Sequence, residues 1–127
     1  MRFAMPNFPC EFELPDAWWD EAGMEGFKPQ GSAYRSTATA MLVPLKMIEP
    51  LYRCKTFPKV WRGFDQNRLI RVLKGFVAGV EIEPVPLFQL PETDYPSSPY
   101  GYRVGNGFHR FYASIAAGFE YLPGDLS

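Results

Sequence analysis

The chain has 127 residues, the length of one domain, long enough to bury a single core without disulfides or a metal. Hydrophobic residues make up 46% and charged residues 21%, which excludes a disordered chain; no apolar run approaches the roughly 20 residues that cross a bilayer. A net charge of −1 argues against a nucleic-acid coat. Proline (13) and glycine (11) are abundant, which suits many short elements joined by defined turns better than a helical bundle.

Two cysteines, Cys10 and Cys54, make no disulfide framework, and Met1 to Cys10 has no apolar signal core. Both features predict a cytoplasmic protein. A single histidine with two distant cysteines predicts no metal site. Charge is uneven along the chain. Residues 1–30 carry two cations against six acids, whereas residues 45–74 carry eight cations against two acids. A basic middle in an acidic chain reads either as a local anion site or as a solvated face.

Residues 1–36 read as an N-terminal appendage packed on a body that spans 37–127. Phe12, Leu14, Trp18 and Trp19 are interleaved with acids, and Pro15-Asp16 predicts a short helix from Ala17 to about Gly23. The tryptophans are expected to pack on the body. Lys28 to Ser36 reads as a polar connector. Ala38 to Leu45 predicts a buried strand, with Pro44 marking an edge position or a strand end. Residues 47–64 are broken by Pro50, Pro58 and Gly63 and read as irregular, with room for a turn of helix.

Asp65 to Gly79 is the clearest helix. Leu69, Val72, Leu73, Phe76, Val77 and Val80 recur at helical spacing, Asp65 is a good N-cap and Gly79 a good C-terminal stop. Gly75 inside it implies close packing or a ligand. Ile82 to Leu90, with two prolines, predicts an edge or lead-in strand. Tyr100 to Val104 predicts the second strand of a hairpin. After Gly105-Asn106-Gly107, helical spacing resumes from Phe108 to Ala117, with Gly118 as the stop. A short extended piece starts at Tyr121. The order predicts an α+β domain: a small mixed sheet with flanking helices.

VGNGFHR, residues 104–110, holds the candidate chemistry. A strand, a glycine turn and a helix start bring unpaired N–H groups and a positive dipole end together. The glycines permit close approach of an anion, Arg110 can bind phosphate through two parallel bonds, and His109 can donate one. An ordinary strand–helix turn with a surface arginine is the plainer reading.

The segment GNGFHRFYASIAAGFEYLP resembles the second motif of the ParB/sulfiredoxin superfamily. VPLKMIEPLYR, FDQNRLIRVLKGFVAG and EIEPVPLF resemble upstream pieces of the same families, in order, so the resemblance covers about residues 39–124. It implies a ParB/sulfiredoxin-like fold and a nucleotide or phosphate site at Gly105, Asn106, Gly107, Phe108, His109 and Arg110. Arg68 and Arg71 stand where the preceding helix contributes polar contacts. ATP, ADP or CTP are the implied ligands, with Mg2+ left open; Glu49, Asp65 and Glu81 are its candidate carboxylates. Phe108 replaces both the sulfiredoxin cysteine and the ParB glutamate. Sulfinic-acid repair and ParB-type turnover are therefore not implied, whether any reaction occurs stays open, and no sequence-specific DNA binding or membrane association is inferred. The alternative function is a protein-interaction or DNA-processing accessory module, docking a partner or a second copy, with a vestigial phosphate site.

Overall fold

The computed structural model describes residues 1–6, 11–49, 64–90 and 100–126. Cys10 and Cys54 lie outside them, as does most of the 47–64 stretch. The elements are β1 (Arg2–Ala4), β2 (Glu11–Glu13), α1 (Asp16–Glu21), β3 (Met41–Pro44), a 3-10 turn (Leu45–Met47), β4 (Ile48–Glu49), α2 (Gln66–Ala78), β5 (Val85–Gln89), β6 (Tyr102–Val104), α3 (Phe108–Ala117) and β7 (Tyr121–Leu126).

Five strands form one mixed sheet in the order β3-β7-β5-β6-β4. β3 is antiparallel to β7, β7 parallel to β5, β5 antiparallel to β6 and β6 parallel to β4. The α+β class holds, and β3 both lies at the edge and ends at Pro44. β5 does not: it sits between β7 and β6, despite Pro86. Pro86 faces the β6 side one residue beyond the end of that strand, and its carbonyl still accepts the Gly105 N–H at 2.9 Å. The missing proline N–H therefore falls at the end of the β5–β6 ladder rather than within it or on the β7 side.

α2 forms as its sequence dictates. The Asp65 carboxylate accepts from the Arg68 N–H at 3.0 Å, and Gly79 ends the helix at φ +68°. Leu69, Ile70, Leu73 and Phe76 are its buried stripe, whereas Val77 and Val80 are exposed. Gly75 is explained by packing, since a Cβ there would come within 2.9 Å of the Ile82 side chain.

The N-terminal residues share one core with the sheet and helices. Phe12 is buried and meets Tyr112 edge-on with ring centroids 5.0 Å apart. Leu14, Met24 and Tyr34 are buried too, and Trp18 and Trp19 pack against this core. β1 and β2 form a separate antiparallel pair, two elements that the sequence pattern does not predict. Among the described residues no helix is long and apolar enough to cross a membrane.

Candidate functional site

The glycine turn lies between β6 and α3. Gly105 has its N–H committed to Pro86, and the Phe88 ring lies against its Cα. Asn106 is exposed. Gly107 is the N-cap of α3 at φ +95°, a left-handed conformation that suits glycine, and no side chain caps the helix from this position. Phe108 is half-buried and stacks on Phe64, centroids 5.9 Å apart.

His109 has a different task from the one its sequence context suggests. It is buried, and its Nε2 accepts a hydrogen bond from the Asp65 main-chain N–H at 2.8 Å. This nitrogen carries no proton and is not a donor to a ligand. At the other end of the two helices, Phe76 meets Phe119 with centroids 5.2 Å apart. α2 and α3 therefore run in the same direction with their N-termini side by side.

Two positive helix ends brought together attract negative charge. α2 carries its own, the Asp65 carboxylate. The Arg68 N–H is the chief cause that holds this carboxyl below its ordinary range; the Arg68 charge acts in the same sense. α3 has no such side-chain cap.

Arg110 lies across this uncapped end. Its Nη1 donates to the main-chain oxygens of Glu83 at 3.1 Å and Pro84 at 3.0 Å. A Cβ on Gly107 would overlap Nη2 and come within 2.9 Å of Cζ and Nε. Among the described residues Nε and Nη2 have no hydrogen-bond partner. The guanidinium is thus anchored by one amino group, with the Nε–Nη2 edge at the glycine turn.

Arg68, three residues from Asp65, is brought to this end of the molecule by the Asp65–His109 bond. Arg71 is exposed about 200° of helical rotation away from buried Leu73, on the outer side of α2. Of the candidate carboxylates, Asp65 is the cap, Glu49 pairs with Arg103 at 3.1 Å, and Glu81 is exposed. Among the described residues no three His, Cys, Asp or Glu side chains gather as a metal set.

The chain is structurally similar to sulfiredoxin from Arabidopsis thaliana. The TM-score is 0.49 at 20% sequence identity, covering 70% of this chain and 84% of that one. No protein-family profile and no curated protein matches the sequence.

Tyr34 is the residue that sequence reasoning misses. It lies in the polar connector, yet it is 4% exposed and its hydroxyl donates to the Glu83 oxygen at 2.7 Å, the same oxygen that anchors Arg110. Its only signal in the sequence is an aromatic ring in an otherwise polar run. Two clefts among the described residues lie elsewhere. One of about 470 Å3 is lined by Pro6, Pro44, Leu45, Lys46, Phe119, Glu120 and Tyr121. The other, of about 300 Å3, lies between residues 27–35 and the C-terminal half of α2.

Proposed function

We propose that this ParB/sulfiredoxin-like domain binds a phosphate group, of a nucleotide or another phosphate compound, at the N-terminus of α3. The observation that carries the reading is Arg110: a guanidinium held by two main-chain oxygens, with its second edge lying across an uncapped helix start. A charged group oriented in advance loses little freedom on binding, and the Nε–Nη2 edge matches two phosphate oxygens. The neighbouring N-terminus of α2 and the exposed Arg68 add positive potential. Arg71 adds to it from the outer side. The Asp65 carboxylate is already satisfied by its own helix and directs a second anion to α3.

The glycine turn contributes shape rather than all of its amides, since the Gly105 N–H is used within the fold. His109 contributes through its place in the backbone, while its Nε2 ties the two helix starts together.

Titration calorimetry of the full chain with inorganic phosphate, pyrophosphate, ATP, ADP and CTP, with and without Mg2+, tests the reading. At least one compound binds and raises the melting temperature; at a hundredfold excess over Kd the stabilisation is about 2.7 kcal/mol. Absence of binding by all of them ends it.

A further inference from the structure

The Glu83 oxygen takes two donors, the Tyr34 hydroxyl at 2.7 Å and Arg110 Nη1 at 3.1 Å. A carbonyl oxygen has two lone pairs, so both are used and the peptide plane is fixed from two sides. Arg110 Nη1 also needs the Pro84 oxygen, 3.0 Å away, which means that adjacent carbonyls must aim at one nitrogen. Their grip depends on how the 83–84 peptides are turned.

Tyr34 is well placed to turn them. Its ring stacks on Phe76 with centroids 5.4 Å apart and planes 22° from parallel. Its chain segment is pinned on both sides: the Ser32 oxygen accepts from the Glu120 and Tyr121 N–H groups, and the Ser36 hydroxyl donates to the Ile82 oxygen at 2.6 Å. Burial raises the phenol far above its ordinary value, against the opposing pull of the Arg110 charge. The hydroxyl therefore stays a donor throughout the working pH range.

We infer that Tyr34 is a positioning residue for Arg110: its hydroxyl sets the Glu83 carbonyl so that the Arg110 guanidinium is held with its Nε–Nη2 edge at Gly107. Its consequence for binding rests on the phosphate reading above; the orientation of Arg110 does not. The N-terminal segment thereby completes a site whose other parts lie on residues 83–84, just before β5, and on α2 and α3.

Tyr34→Phe keeps the ring and deletes only the hydroxyl. Nuclear magnetic resonance of the 15N-labelled full chain reads rotation of the Arg110 guanidinium about its Cζ–Nε bond. The rotation accelerates about threefold to tenfold in Tyr34→Phe, the range set by one neutral hydrogen bond. Ser36→Ala removes another bond from the same connector without touching Glu83, and leaves Arg110 unchanged. An unaltered Arg110 in Tyr34→Phe, or equal acceleration in both variants, overturns the inference.

Titration of pyrophosphate and ATP into the same proteins separates the two proposals. Binding is weaker in Tyr34→Phe by a similar factor and unchanged in Ser36→Ala. No binding to the parent chain ends the phosphate reading, while the rotation rates still decide the role of Tyr34. Should Tyr34→Phe fail to fold, the parent chain decides: a slowly exchanging Tyr34 hydroxyl proton close to resolved Arg110 Nη1 protons supports the inference, and a freely exchanging hydroxyl beside resolved Nη1 protons, or averaged Nη1 protons, overturns it.

Discussion

The main-chain N–H of Asp65 donates to Nε2 of His109 at 2.8 Å, across 44 residues of sequence. The bond joins the first residue of one helix cap to the first turn of the next, so the starts of α2 and α3 are held together. It also sets the imidazole tautomer, because an accepting Nε2 carries no proton.

His109→Ala leaves the Asp65 N–H without this acceptor in a partly buried place. The expected loss is about 1–3 kcal/mol, seen as a lower urea midpoint. Hydrogen exchange gives the sharper reading: the Asp65 amide exchanges faster, while the Gly79 amide at the far end of α2 changes less. An unchanged Asp65 amide contradicts the tie between the two helix starts.

Asp65 itself gives a pH prediction. Its folded-state value is lowered from 3.8, chiefly by the Arg68 N–H. A depressed carboxyl stabilises the fold above its unfolded value and loses that contribution as pH falls through the folded value. The melting temperature of the parent chain should therefore fall on the acid side, below about pH 4. Asp65→Asn, whose amide oxygen still caps but does not titrate, should show a smaller fall. Identical acid profiles for the two proteins would remove Asp65 as a contributor.

Gly107 and Gly118 allow backbone strain to be separated from site geometry. Both have left-handed backbones, at φ +95° and +92°. Alanine at either position costs about 1–2 kcal/mol. Only at Gly107 does the new methyl overlap the Arg110 guanidinium; at Gly118 it meets Pro29 at an ordinary 3.5 Å. Gly107→Ala should lose phosphate binding and Gly118→Ala should keep it, at similar melting temperatures. Equal affinities in the two variants would dissociate Arg110 from the site.

The parts of the fold legible in the sequence are those fixed by local chemistry. Asp65 and Gly79 bracket α2, Gly107 and Gly118 bracket α3, and the Tyr102–Val104 strand pairs antiparallel with β5 as a hairpin should. What the sequence hides depends on distant neighbours. Pro86 reads as an edge signal, and only the end of β6 at Val104 makes it harmless inside the sheet. β1 and β2, three residues each, are too short for a period to show. The same distinction governs the site. The glycine turn and the helix start are visible in VGNGFHR, but its His-Arg pair suggests two donors to a ligand. The structure instead gives His109 an acceptor's role toward Asp65 and gives Arg110 an anchor on residues 83 and 84. Tyr34, 76 positions before Arg110 in the sequence, carries no local sign of sharing that anchor.

Arg110 and Phe111 are adjacent in α3 and should behave oppositely. Arg110 is half-buried, and among the described residues its side chain bonds only through Nη1, to two main-chain oxygens. Arg110→Ala removes that anchor at a stability cost of about 1.5–3 kcal/mol, the net value of a hydrogen bond made by a charged group. Against a phosphate ligand it removes a charge-assisted contact of about 1.5–3 kcal/mol, which is roughly 10- to 150-fold in affinity. Arg110→Lys retains the charge but neither the planar edge nor the double anchor, so it should recover only part of the loss. Phe111 is 1% exposed within the core. Phe111→Ala should cost about 3–5 kcal/mol by opening a cavity and should alter affinity only through the fraction folded. Calorimetric titration with the tightest-binding phosphate compound, beside a urea midpoint for each variant, separates the two effects. If Arg110→Ala unfolds the chain while affinity in the folded fraction is unchanged, the arginine is a structural tie between α3 and residues 83–84, and the phosphate site lies elsewhere.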